Sequence, residues 1–202
     1  MSVDALQVAI KAVIRASEII LETFGNPEGI EYKSRVDVVT DTDKRCEEEI
    51  VKILRSETPD FGIIAEEGTN FPGEKVWIVD PLDGTKEFIE GVPHFVVSIA
   101  LVEGGQPTIG VLYNPVTGET FTAAQDEGAY LNGEPIHCVT KENVSEMVIL
   151  NSRSETRRGL WEPYVGTFGE LRAIGSVAYK LGLTAAGQAD IFASLRPKSE
   201  WD

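Results

Sequence analysis

Apolar residues Leu6, Ile10, Val13, Ile20, Leu21 and Phe24 recur at helical spacing and stop at Gly25. This pattern predicts an amphipathic helix over 3–24 lying on a core. Val36, Val38 and Val39 point to a strand pair within 31–40. Thr42 is placed to cap a second helix in which Cys46, Ile50, Ile53 and Leu54 share one face. Phe61-Gly62-Ile63-Ile64-Ala65 reads as a short strand delivering Glu66 and Glu67 at its end. Val76-Trp77-Ile78-Val79 reads as a buried strand ending at Asp80, after which Gly84 turns the chain into a helix over 86–89. Strands over 94–102, 108–113, 120–124 and 129–131 are separated by Gly-Gly, Asn-Pro, Thr-Gly and Asn-Gly turns, which predicts an antiparallel meander. A strand over 147–150, a helix over 155–165, a helix over 177–186 and a strand over 189–193 complete the pattern. Helices and strands alternating in blocks predict a layered α/β (mixed α+β) architecture. The 202 residues are enough for one domain, divided roughly into an α+β half over 1–135 and an α/β half over 136–202.

Composition narrows the function classes. A formal net charge of −15 argues against nucleic-acid polymers, whose phosphate backbones need a basic face. Apolar runs stay short and charged residues interrupt the N-terminus, so neither a membrane span nor a signal peptide is expected, and the chain reads as cytoplasmic. The 2 cysteines, Cys46 and Cys138, are expected as free thiols rather than a staple. An acidic chain that binds phosphate must cancel its own field locally, which bound cations do well.

The chemistry gathers on acidic residues at element ends. Asp80-Pro81-Leu82-Asp83-Gly84-Thr85 presents two carboxylates and then a helix start. Carboxylate oxygens suit hard divalent cations, and the N–H groups at a helix start suit an anion. Asp43 and Glu66 add two more acids at element ends, and Asp202 is the last residue. Taken singly, Asp43 also fits a charge complementing a helix dipole, and Glu66-Glu67 a solvated pair. Asp80 is harder to read as structural, because an acid following four apolar strand residues needs a partner or a metal. His94 and His137 lie away from these acids in sequence and read as structural. A nucleophilic-aspartate phosphatase of the Asp-x-Asp-Gly-Thr type is excluded by spacing, since the two carboxylates here stand three apart with Pro81 between them.

Three segments carry a resemblance. Asp37-Val38-Val39-Thr40-Asp41-Thr42-Asp43, the pair Glu66-Glu67, and Trp77-Ile78-Val79-Asp80-Pro81-Leu82-Asp83-Gly84-Thr85 are similar to the motifs of the inositol monophosphatase superfamily. Gly175-Ser176 and Glu200-Trp201-Asp202 extend the likeness over essentially the whole chain. The resemblance implies a layered αβαβα sandwich and a magnesium-dependent, lithium-sensitive phosphomonoesterase. It further implies that Glu66, Asp80 and the Leu82 carbonyl bind a first Mg²⁺. Asp80, Asp83 and Asp202 would bind a second, and a third looser ion would lean on Glu66. Gly84 and Thr85 N–H groups would hold the phosphate, and Thr85, bonded to Asp43, would orient and deprotonate the attacking water. Proteins of this kind are often homodimers.

For the ester, Lys86, the Asn151-Ser152-Arg153-Ser154 stretch and Lys180 are similar to the 3′(2′),5′-bisphosphate nucleotidase branch. That likeness implies adenosine 3′,5′-bisphosphate as substrate, with Arg153, Arg196 and Lys198 available for a second phosphate. The alternative is inositol 1-phosphate, although Leu195 stands where inositol-preferring relatives carry an acid. The family normally continues beyond the Trp-Asp motif, so the chain also reads as C-terminally truncated. A catalytically silent metal- or phosphate-binding protein is the reading from a different class.

Overall fold

The computed structural model describes residues 4–32, 38–139, 141–197 and 201. Two long helices open it, α1 (Ala5–Thr23) and α2 (Asp41–Glu57). There follow β1 (Gly62–Ala65), β2 (Asn70–Phe71), β3 (Lys75–Asp83) and the short α3 (Thr85–Ile89). Next come β4 (Val96–Glu103), β5 (Gln106–Asn114), β6 (Glu119–Ala124), β7 (Gly128–Leu131) and β8 (Glu134–Pro135). The last elements are β9 (Val148–Ser152), α4 (Arg153–Thr156), β10 (Glu170–Ile174), α5 (Val177–Ala185) and β11 (Ile191–Phe192).

The larger sheet has strand order β2-β1-β3-β4-β5-β6-β7-β8, and the smaller sheet has order β10-β9-β11. β1 and β3 run parallel, β4 through β7 form the expected antiparallel meander, which β3 and β8 extend at its two ends, and the smaller sheet is parallel. Period-2 alternation explains how one sheet serves two cores. On β4, Val97, Ile99 and Leu101 join the core built with α1 and α2, whereas Val96 joins the core built with α5 on the other face. The helical stripe Val8, Ala9, Ala12, Val13, Ala16 and Ile20 seals the first core. Each large apolar side chain buried there contributes about 1.5–3 kcal/mol relative to exposure. The result is α1–α2, the larger sheet, α5 and the smaller sheet in successive layers, the mixed α+β arrangement expected from the sequence.

Several boundaries differ from expectation. Thr40, not Thr42, precedes α2 as its cap, and Thr42 instead meets Thr23 at 2.8 Å inside the helix pair. The expected helix over 155–165 breaks into α4 and a 3₁₀ turn at Glu162–Tyr164, because Gly159 takes a φ of 72° and Pro163 sits in the turn. β10 was not anticipated, since Glu170-Leu171-Arg172 offers no apolar run. Glu31 and Val39 form a lone antiparallel bridge, and the rest of the expected strand pair over 31–40 lies largely outside the described residues.

The difference that matters most concerns β3. It does not end before Asp80 but continues through Asp83. Asp80 stands opposite Ser98 and Asp83 opposite Val96, so three steps on β3 match two on β4. A bulge of this kind adds one residue to one strand. In a regular strand, residues three apart face opposite ways. The bulge brings Asp80 and Asp83 to equivalent positions, and it also tolerates Pro81, which has no N–H for the ladder.

Candidate functional site

A cleft of about 400 Å³ opens at this end of the sheet, lined by Glu66, Asp83, Gly84, Thr85, Ser176 and Lys180 among others. Gly84 starts α3 with a φ of 110°, and a Cβ there would stand 2.8 Å from both the His94 carbonyl and Phe95 Cβ. Backbone conformation and space therefore both require glycine. The first N–H groups of α3 have no acceptor within the helix and lie beside the cleft.

Beneath the cleft, Asp80 is 2% exposed. Its Oδ1 accepts the Leu82 N–H at 3.0 Å, a local turn that fixes the carboxylate. Burial, then the neighbouring Asp83 and Glu66 charges and a hydrogen bond with Glu66, push Asp80 well above the usual carboxylate range. The Leu82 N–H pulls the other way. Asp83 is held from the opposite layer, its Oδ2 accepting Ser176 Oγ at 2.7 Å and the Ala178 N–H at 2.6 Å. The same Ser176 Oγ accepts the Tyr179 N–H at 2.9 Å and so caps α5 from a positive-φ conformation (φ 58°). Lys180 supports that turn by donating to the Ile174 and Ser176 carbonyls.

Thr85 Oγ1 donates toward Asp43 Oδ1 at 3.0 Å and lies 3.2 Å from the Leu82 carbonyl. Asp43 is 1% exposed, and its Oδ2 accepts the Thr40 N–H at 2.8 Å together with the Thr40 hydroxyl. Burial raises the Asp43 carboxyl above its ordinary range, opposed by these Thr40 bonds and the Thr85 bond.

The structure thus brings Glu66, Asp80, Asp83, Gly84, Thr85 and Asp43 together, with the Leu82 carbonyl among them. Asp202 lies outside the described residues. The convergence runs pairwise through Asp80. Among the described residues, no group of three or more acidic, imidazole or thiol side chains forms a ready metal cage. Like charges at one point repel, which is why Asp83 and Glu66 push the Asp80 carboxyl up. The donor set nonetheless fits a hard cation, being all oxygen and partly buried.

Arg153, expected to face a substrate, is instead divided between Glu87 Oε1 at 3.1 Å and Glu90 Oε2 at 3.0 Å. Arg158 and Arg196 line the cleft. Two residues escaped the reading of the sequence, Ser176 as the tie on Asp83 and Glu47 as a buried acid on α2. The Gly-Ser before a helix was the available signal for the first; Glu47 gave none beyond its spacing of four from Asp43.

Residues 3–202 match the Inositol monophosphatase family. An inositol monophosphatase from Mesembryanthemum crystallinum is 37% identical, over 98% of this chain and 79% of the relative. Inositol monophosphatase 3 from Solanum lycopersicum is 38% identical with the same coverage of 98% and 79%. Among solved structures, the extragenic suppressor protein suhB from Bartonella henselae superposes with a TM-score of 0.90 at 30% identity, covering 98% of this chain and 80% of that one.

Proposed function

The chain belongs to the inositol monophosphatase family and is a phosphatase of that group, and from this premise we propose that it hydrolyses a small monophosphate ester with Mg²⁺, inositol 1-phosphate being the first substrate to test. The Mesembryanthemum crystallinum and Solanum lycopersicum relatives are named inositol monophosphatases, which supports this ester over the adenosine 3′,5′-bisphosphate expected from the sequence. The observation that carries the reading is the cleft in which Glu66, Asp83, Gly84 and Thr85 meet, with Asp80 directly beneath.

Glu66, Asp80, Asp83 and the Leu82 carbonyl would hold Mg²⁺, and Asp202 is the candidate to complete the set. When bound, divalent cations acidify water and neutralise phosphoryl oxygens. The protein's own groups supply the rest. The N–H groups of Gly84 and Thr85, on the cleft wall, would hold the phosphate and orient it toward the attacking water. Thr85 Oγ1, with its proton directed to Asp43 Oδ1, keeps lone pairs to accept a proton from that water. As the water oxygen bonds to phosphorus, its proton passes to Thr85 while Thr85 hands its own to Asp43. The P–O bond to the alcohol breaks, and the alcohol oxygen leaves with the bonding pair and takes a proton from solvent. Burial that raises Asp43 makes it a better proton acceptor than an exposed aspartate.

A second reading, favoured by Arg158 and Arg196 on the cleft wall, is an ester with a second anionic group. Guanidinium groups recognise phosphate bidentately, so a bisphosphate would gain where an inositol ring would not. Phosphate release measured with inositol 1-phosphate, fructose 1,6-bisphosphate and adenosine 3′,5′-bisphosphate at fixed Mg²⁺ separates the readings. The highest kcat/KM for inositol 1-phosphate is expected. A preference of tenfold or more for either bisphosphate overturns the choice of ester.

A further inference from the structure

Glu47 sits four residues after Asp43 on α2, a spacing that puts both acids on one helix face. Both are buried. Asp43 bonds Thr40 and Thr85, while Glu47 bonds the loop after β1. Glu47 Oε2 accepts the Glu67 N–H at 2.7 Å. Its Oε1 accepts the Thr69 N–H at 3.0 Å and the Thr69 hydroxyl at 2.7 Å. These bonds fall on the residues that immediately follow Glu66, the acid that reaches Asp80.

The loop has a further tie at its middle, where the Gly68 N–H meets the Ala65 carbonyl at 3.2 Å. Gly68 takes a φ of 118°, and β2 beyond it is two exposed residues that pair with β1, with Arg55 over the Phe71 ring at 4.3 Å. Backbone bonds hold its ends, from the Glu66 N–H to the Val79 carbonyl at 3.1 Å and from the Ala65 N–H to the Thr69 carbonyl at 2.9 Å. Its middle is organised by the Glu47 carboxylate, whose bonds are charge-assisted and stronger than neutral ones.

We infer that Glu47 is a positioning residue: it fixes the loop that carries Glu66 and thereby sets the Glu66 carboxylate against Asp80 for cation binding. This rests on the proposed metal role of Glu66. Because α2 is one rigid body, Asp43 and Glu47 together keep the Asp43–Thr85 pair and the Glu66 loop in register. The ordinary alternative is that Glu47 merely anchors a surface loop, with no effect on the cation. The two differ in what they do to metal affinity at unchanged fold.

The test uses the full chain and Mn²⁺ as the probe, titrated directly by the loss of its free electron-paramagnetic-resonance signal. Glu47→Ala, Glu47→Gln and Thr69→Val are compared with the parent protein and with Asp80→Asn, alongside thermal melts. Outer-shell partners of metal ligands are worth about 10–100-fold in affinity. Glu47→Ala is expected to weaken Mn²⁺ binding by about that factor, and Glu47→Gln by several-fold because its amide nitrogen cannot accept the Glu67 N–H. KM for the phosphate ester at saturating Mg²⁺ stays unchanged. Should Glu47→Ala fail to fold, Glu47→Gln and Thr69→Val carry the same comparison with smaller shifts. Variants that melt cooperatively and bind Mn²⁺ like the parent overturn the inference about Glu47 alone. A parent protein that binds no Mn²⁺, or binds it as Asp80→Asn does, overturns the metal reading and this inference with it.

Discussion

The floor and the rim of the cleft are built from different materials. The floor is backbone-determined: Asp80 and Asp83 project from a bulged central strand, Gly84 occupies a position where no other residue fits, and Asp83 is pinned by the start of α5. The rim is made of long cations on short elements, with Arg153 and Arg157 meeting Glu87 and Glu90, and Arg158 and Arg196 lining the opening. Arg157 and Glu90 remain 55% and 35% exposed on their side chains, a setting in which ion pairs are worth about 1 kcal/mol or less. The difference teaches where each kind of function can reside. Under the proposed function, chemistry that requires tight placement would sit on the sheet, and the choice of ester would fall to side chains that adjust at low cost.

The comparison is broken most severely by Asp80→Asn. Phosphatase activity is expected to fall on the order of 10³-fold with Mn²⁺ binding lost. Without metal, the same variant should melt higher, because a buried acid crowded by Asp83 and Glu66 has been neutralised. Each kcal/mol gained appears as roughly 2–4 °C in a calorimetric melt. Loss of activity together with a lower metal-free Tm would count against the crowding described for the floor.

Thr85→Ala comes next. Proton transfer by a positioned group contributes about 10²–10⁴-fold, so kcat should drop within that range while Mn²⁺ affinity holds. A change confined to KM would remove Thr85 from the proton path. On the rim, Arg158→Ala and Arg196→Ala are expected to alter KM by tenfold or less and leave kcat unchanged, with the larger effect on substrates carrying two phosphates.

The smallest expected effect sharpens the rim's description. The Arg157 hydrogen bond, aided by Arg153, lowers Glu90 from 4.5 to about 2. Between those values the folded state binds fewer protons than the unfolded state, so stability rises with pH. The contribution is present above about pH 4.5 and is lost as pH falls toward 2. Glu90→Gln should flatten urea-midpoint stability across that window by less than about 1 kcal/mol and change nothing at neutral pH beyond the lost pair. A steeper acid loss in the variant would contradict the assignment.

Much of the floor's placement was legible in the sequence, because Asp-Pro-Leu-Asp-Gly-Thr after an apolar strand sets two acids and a glycine turn at the start of a helix. The meander was legible as well, through turn residues between β-branched runs. What could not be read depended on pairing across the chain. The bulge exists only in the register of β3 against β4, so a strand appeared to stop at Asp80 where it continues. Glu47 and Ser176 act on residues 20 or more positions distant, Glu67 in a loop and Asp83 at the end of β3, and no local pattern announces such bonds. The helix expected over 155–165 failed because glycine and proline effects outweighed its apolar spacing. Arg153 looked available from its motif, and only the fold shows Glu87 and Glu90 beside it.

The most direct measurement is the anomalous difference map of a crystal soaked in Mn²⁺. The account predicts a peak about 2.1 Å from carboxylate oxygens of both Asp80 and Glu66, with Asp83 beside it and the Leu82 carbonyl turned toward it. A map with no peak in the cleft, or with manganese bound only to acids elsewhere on this negatively charged surface, would contradict it.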